Sequence, residues 1–156
     1  MYINSNQLVT INPIGENQQK VFDAWAKEKN LFLTGSAGTG KTFTLLHLAF
    51  KAVLDKGQPY DKVVIVRSLL PSRDIGFLPG TLEEKSDLYQ DPYRILVRYL
   101  FEMPSEQGHD VLYDKLVGQG SLEFYSTSFL RGQTFDRSII LVDEASNLIF
   151  QELDTI

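Results

Sequence analysis

Eight consecutive residues, Gly35-Ser36-Ala37-Gly38-Thr39-Gly40-Lys41-Thr42, combine glycines, one cation and one terminal hydroxyl, the groups needed to grip a polyphosphate. Glycines let the backbone turn tightly and aim successive N–H groups at phosphate oxygens, and a helix that follows adds the positive end of its dipole. Gly35, four residues, then Gly40-Lys41-Thr42 is the Walker A spacing. It predicts that Lys41 reaches the β- and γ-phosphates of ATP and that the Thr42 hydroxyl ligates Mg²⁺.

A second constellation lies about a hundred residues on. Four apolar residues, Ile139-Ile140-Leu141-Val142, run straight into Asp143-Glu144. A buried strand of this kind delivers its carboxylates to the C-terminal edge of a sheet, so Asp143 is expected beside Thr42 in the Mg²⁺ shell. Glu144 is then placed as the general base or water-orienting group of hydrolysis. The other reading of Glu144 is a solvated acid opening the next helix.

Gln18, ahead of the glycine-rich run, is a candidate for reading the adenine edge, because its amide both donates and accepts hydrogen bonds. The alternative is a polar residue in the first turn of a solvated helix. Arg67, Arg73 and Arg131 fall beside expected strand ends on the ligand side. They are candidates for nucleic-acid phosphates or an intersubunit contact, with solvation as the alternative.

Several segments must position these groups. Residues 16–29 read as an amphipathic helix with Val21, Phe22 and Trp25 on one side, Trp25 as a core anchor. Leu31-Phe32-Leu33-Thr34 is expected to be the strand leading into the loop, and from Lys41 a helix carries Leu45, Leu46, Ala49, Phe50 and Val53 on one side. Val63-Val64-Ile65-Val66 has the β-branched, unbroken character of a strand covered on both faces, and residues 122–127 and 138–143 are further strands. Strands separated by helices imply an α/β fold with a parallel sheet. Residues 89–101 interleave aromatic and basic side chains, a pattern that could stack bases. Helical spacing favours a packing helix, with Ile95, Tyr99, Leu96 and Leu100 as the apolar stripe and Arg94 and Arg98 opposite.

Bulk properties narrow the classes. The 156 residues are 43% hydrophobic and 22% charged, which fits one globular unit. The net charge of −5 argues against bulk electrostatic capture of nucleic acid, while leaving room for a local basic groove. With no cysteine and no His-x-x-x-His spacing for His47 and His109, no metal other than nucleotide-bound Mg²⁺ is expected. No run approaches eighteen apolar residues, so no membrane span is expected and the reading is cytoplasmic.

Three stretches together resemble a known family: the Walker A run; Val66-Arg67-Ser68 with Ile75-Gly76-Phe77-Leu78-Pro79-Gly80-Thr81-Leu82-Glu83-Glu84-Lys85; and Phe129-Leu130-Arg131-Gly132-Gln133-Thr134 leading to Val142-Asp143-Glu144-Ala145-Ser146-Asn147. They look like PhoH-family ATPases. The resemblance implies a three-layer, RecA-like core related to superfamily 1 helicases, Mg-ATP hydrolysis, and a link to RNA or single-stranded DNA. It also implies a possible ring of copies and, since phage-encoded members are common, a host cytoplasm as one setting. Arg67-Ser68 stands where the family usually has Arg-Pro, and Ala-Ser-Asn where it has Ala-Gln-Asn. Residues 1–156 are read as a single P-loop domain, lead-in 1–15 and core 16–156, ending before the last strands, the polar sensor and the arginine finger of such a core. The expectation is nucleotide binding without efficient turnover by this chain alone, since an arginine finger is worth roughly 10³–10⁵ in rate. A nucleotide-binding module and a P-loop kinase are the competing readings.

Overall fold

A computed structural model of the chain describes residues 2–68 and 82–154. Helix α1 (Glu16–Trp25) precedes the glycine-rich loop and α2 (Lys41–Leu54) follows it. Next come β1 (Lys62–Arg67), α3 (Leu82–Leu100), α4 (Glu106–Asp110), α5 (Leu112–Gly118), β2 (Leu122–Ser126), β3 (Ser138–Val142) and α6 (Phe150–Leu153). The strands form one parallel sheet in the order β2-β1-β3, the α/β class expected of the alternating pattern.

β1 is central, and Val63 to Val66 are all completely buried, as an unbroken β-branched run requires. Alternate side chains serve different faces. Val63 and Ile65 enter the main core with Leu46, Ala49, Phe50 and Leu54 of α2, with Tyr93, Val97 and Leu100 of α3, and with Leu112 and Leu116 of α5. Val64 and Val66 meet Leu130, Tyr125, Phe135 and Val142 on the other side. Each fully buried aliphatic side chain of this kind stabilises the fold by roughly 1.5–3 kcal/mol.

Two expectations are corrected. Residues 31–34 are not a strand: Phe32 is 82% exposed and no ladder is formed. A strand exists only through its partner: β1 is paired on both sides by β2 and β3, and residues 31–34 form no ladder with either of those edge strands, so the run stays irregular. The helix over 82–100 forms, but its buried stripe is Tyr93, Val97 and Leu100, with Leu96 partly buried. Ile95 and Tyr99 are 57% and 69% exposed. Trp25 packs partly buried against the main core, in keeping with an anchor.

The N-terminal segment is stitched to the core and so sets where Gln18 lies. Ile3 is fully buried, and the Gln119 amide accepts from its N–H at 2.9 Å and donates to its carbonyl at 3.0 Å. The Val9 N–H donates to the Leu100 carbonyl at 2.8 Å, while the Val9 carbonyl sits 2.9 Å from Nε2 of buried His47.

Candidate nucleotide site

The loop between residue 34 and α2 has the backbone its glycines permit. Gly38 and Gly40 take φ of 75° and 78°, the left-handed region that a Cβ makes costly, and Gly40 is the residue from which α2 starts. Lys41 folds back over the loop, its ammonium donating to the carbonyls of Gly35 at 2.9 Å and Ser36 at 2.7 Å. Thr39 Oγ1 also donates to the Ser36 carbonyl, at 3.0 Å. A lysine held by two neutral carbonyls at the mouth of a loop can exchange them for anionic oxygens, which bind an ammonium more strongly.

β1 and β3 run parallel with Val66 opposite Val142, so the residues that follow emerge together. The Asp143 N–H closes the ladder onto the Val66 carbonyl at 2.9 Å. Its carboxylate is then held from two sides: Thr42 Oγ1 donates to Oδ1 at 3.0 Å, and Tyr93 OH donates to Oδ2 at 2.8 Å. A hydroxyl and a carboxylate oxygen this close fit the shell of one hard divalent cation. Among the described residues no cluster of three or more His or acidic side chains offers a separate metal site.

Tyr93 is 1% exposed. Burial, reinforced by the Asp143 charge, pushes its phenol far above its ordinary range, so it stays a neutral donor. Arg67, at the end of β1, pairs with Glu144 through Nη2 and Oε1 at 3.0 Å. Burial works against the Arg67 charge, but Tyr93, Glu144 and Asp143 outweigh it and raise its pKa. Glu144 takes a left-handed conformation, φ 51°, and its Oε2 accepts from Asn147 Nδ2 at 3.2 Å. The carboxylate is therefore engaged at both oxygens.

Gln18 lies near the loop. Its Oε1 accepts from the Ile14 N–H at 2.9 Å, and its Nε2 is 3.8 Å from where a Cβ on Gly40 would stand. Ile14 to Gln18 line an open cleft of about 330 Å³ beside it. Of the three arginines, Arg67 is paired at the site rather than solvated, Arg131 is exposed in the turn after Thr127–Phe129, and Arg73 lies outside the described residues, as does the Gly76-Phe77-Leu78-Pro79-Gly80 element. Sequence reasoning missed Tyr93 and Asn147 as site residues. Tyr93 was legible only as part of a packing helix, and Asn147 only as the last residue of the motif after Asp143-Glu144.

A loop of this geometry facing an Asp-Glu strand end invites comparison with known proteins. A family model described as "PhoH-like protein" matches residues 10–156. The chain belongs to the PhoH-like family. A PhoH-like protein of Mycobacterium leprae is 32% identical over 145 residues, covering 92% of this chain and 39% of that relative. Protein PhoH2 of Bacillus subtilis is 34% identical over 125 residues, 80% of this chain and 27% of the relative. Protein PhoH of Escherichia coli K12 is 32% identical over 136 residues, 85% of this chain and 36% of the relative. This PhoH-like chain thus spans less than two fifths of the length of these curated relatives. The family is generally one of P-loop ATPases. No described helix is long and apolar enough to cross a membrane.

Proposed function

We propose that this chain binds Mg-ATP at Gly35–Thr42 and hydrolyses it, with hydrolysis coupled to remodelling of RNA or single-stranded DNA. The observation that carries the reading is the 3.0 Å contact between Thr42 Oγ1 and Asp143 Oδ1, which joins the loop to the acidic strand end at the point where a nucleotide-bound cation would sit. In this reading the N–H groups of Ser36 to Thr42 cradle the phosphates, Lys41 leaves its loop carbonyls for the β- and γ-oxygens, and Gln18 reads the adenine edge. Thr42 and Asp143 would hold Mg²⁺, whose charge offsets that of the phosphates. Glu144 accepts a proton as water attacks the γ-phosphorus and the bond to the β–γ bridging oxygen breaks, releasing ADP and inorganic phosphate.

The charge of −5 limits nucleic-acid contact to a local groove in this reading, with Arg131 and Arg73 as candidate contacts. Assembly into a ring of copies belongs to the same proposal and is measured by light scattering with and without Mg-ATP. Turnover by residues 1–156 alone is expected to be slow. A second reading, a nucleotide-binding module, draws support from one observation: both oxygens of Glu144 are already engaged.

The test combines equilibrium binding of a fluorescent ATP analogue with release of labelled phosphate, each with and without single-stranded RNA and DNA. Lys41→Ala should lose binding, and Glu144→Gln should keep binding and lose phosphate release. Wild-type binding by Lys41→Ala would sink the assignment of the loop. Binding without phosphate release by the wild type would leave the binding module, unchanged release by Glu144→Gln would remove Glu144 from the chemistry, and label appearing on a small-molecule acceptor would indicate a kinase.

A further inference from the structure

The engagement of Glu144 carries more than a choice between readings. Its side chain is held from two different elements: Arg67, the last residue of β1, takes Oε1 at 3.0 Å, and Asn147, in the 3-10 turn Ala145–Asn147, takes Oε2 at 3.2 Å. The Asn147 N–H also donates to the Glu144 carbonyl at 2.8 Å, closing the turn on the residue whose carboxylate it holds. Glu144 has φ 51° and ψ 41°, a conformation uncommon for a residue with a Cβ and maintained where surroundings over-determine it. A carboxylate held at both oxygens, with its side chain still 47% exposed, is fixed in orientation and is not free to swing toward a water at the phosphate.

Arg67 is the side of the clasp that can let go. Its side chain is only 17% exposed, its guanidinium carbon lies 5.6 Å from the centre of the Tyr89 ring, and its Nε is buried without a hydrogen-bond partner. A planar five-donor group with an unmet buried N–H gains by re-pairing with an acceptor that offers several oxygens at once, and a phosphate does so bidentately. Arg67 also ends the strand next to β3, beside the carboxylates that face the loop.

We propose that Arg67 and Asn147 clasp Glu144 in a hydrolysis-silent arrangement, and that a phosphate oxygen which captures the Arg67 guanidinium releases it. Arg67 is thus a positioning residue that acts through Glu144. The inference rests on the ATPase reading above. The shared chemistry is a phosphate oxygen, and its source is either the γ-phosphate of ATP or a phosphodiester of single-stranded nucleic acid.

Single-turnover phosphate release by the full 156-residue chain, with ATP binding measured in parallel, tests it. If a phosphodiester is the releasing phosphate, Arg67→Gln and Asn147→Ala should both raise the ATP-only rate. A clasp that leaves about one molecule in ten competent predicts about a tenfold gain when it is fully removed. If the phosphodiester is the release signal, oligo(U) RNA accelerates the wild type and adds nothing to Arg67→Gln. If the γ-phosphate is, ATP itself opens the wild-type clasp, so neither variant gains rate, RNA adds nothing, and Arg67→Gln loses part of the preference for ATP over ADP. Asn147 is exposed, so its variant keeps the test open should Arg67→Gln fail to fold. Rates at or below wild type in the folded variants, with ATP still bound and the preference for ATP over ADP unchanged, overturn the clasp. Failure of the wild type to bind ATP removes the ATPase reading and the clasp with it.

Discussion

Tyr93→Phe separates a site residue from a core residue, because it deletes one oxygen and leaves the ring. The phenol donates to Asp143 Oδ2 at 2.8 Å, and its ring packs against Phe124 with centroids 5.8 Å apart. A hydrogen bond to a charged acceptor contributes about 1.5–3 kcal/mol, and water can partly replace the phenol at a half-exposed carboxylate, so a loss of about 1–2 kcal/mol is expected. At about 2–4 °C per kcal/mol for a domain of this size, Tm should fall by about 2–8 °C. The same change frees Asp143 to rotate away from Thr42, so the Mg²⁺ concentration needed for half-maximal binding of an ATP analogue should rise while binding at saturating Mg²⁺ persists. Tyr113→Phe is the control. It removes a 3.2 Å bond to Gln90 Oε1 and should lower Tm less without moving the Mg²⁺ dependence. Thermal unfolding and Mg²⁺ titrations on both variants decide the matter. If Tyr93→Phe matches the wild type in Tm and Mg²⁺ dependence, or changes only as Tyr113→Phe does, the phenol does not position Asp143.

Two further outcomes are expected. Leu100→Ala, at a fully buried position of α3, should cost about 2–5 kcal/mol in urea unfolding. Ile95→Ala, on the exposed face of the same helix, should stay within about 0.5 kcal/mol, and the reverse order would put the buried stripe on the Ile95 and Tyr99 face. Burial, with a smaller contribution from Lys51, lowers the pKa of His47 below its ordinary 6.5, so the unfolded chain takes up that proton more readily than the folded one. His47 should therefore contribute stability that is present above pH 6.5 and lost as pH falls through the lower folded value, and His47→Gln should flatten that part of the urea-midpoint profile against pH.

The loop, the acidic strand end and the elements around them were legible because each is written locally. Gly-x4-Gly-Lys-Thr is contiguous, α2 shows its 3.6-residue period at Leu46, Ala49, Phe50 and Leu54, and β1 and β3 are unbroken apolar runs. Residues 31–34 have the same composition as a strand, but a strand depends on what lies beside it, and composition does not say that this run pairs with neither edge of the sheet. α3 carries two stripes at helical spacing, one through Ile95 and Tyr99 and one through Tyr93, Val97 and Leu100. The expected stripe joins Ile95 and Tyr99 to Leu96 and Leu100, and packing against the core keeps the two leucines while leaving Ile95 and Tyr99 outside. Tyr93 and Asp143 are 50 residues apart, with no local pattern to join them.

What assembles the site is the register between β1 and β3. With Val66 opposite Val142, Arg67 and the Asp143-Glu144 pair leave the sheet at the same level, so the guanidinium and the two carboxylates meet beside Thr42 and Tyr93. A slip of one residue would send the side chains of β3 to the opposite faces, moving Ile139 and Leu141 out of the main core. The same hydrophobic alternation that makes β3 a core strand therefore fixes where the carboxylates emerge. The charges at the strand ends need no alignment signal of their own, because burial of Val63, Ile65, Ile139 and Leu141 on one face already enforces it.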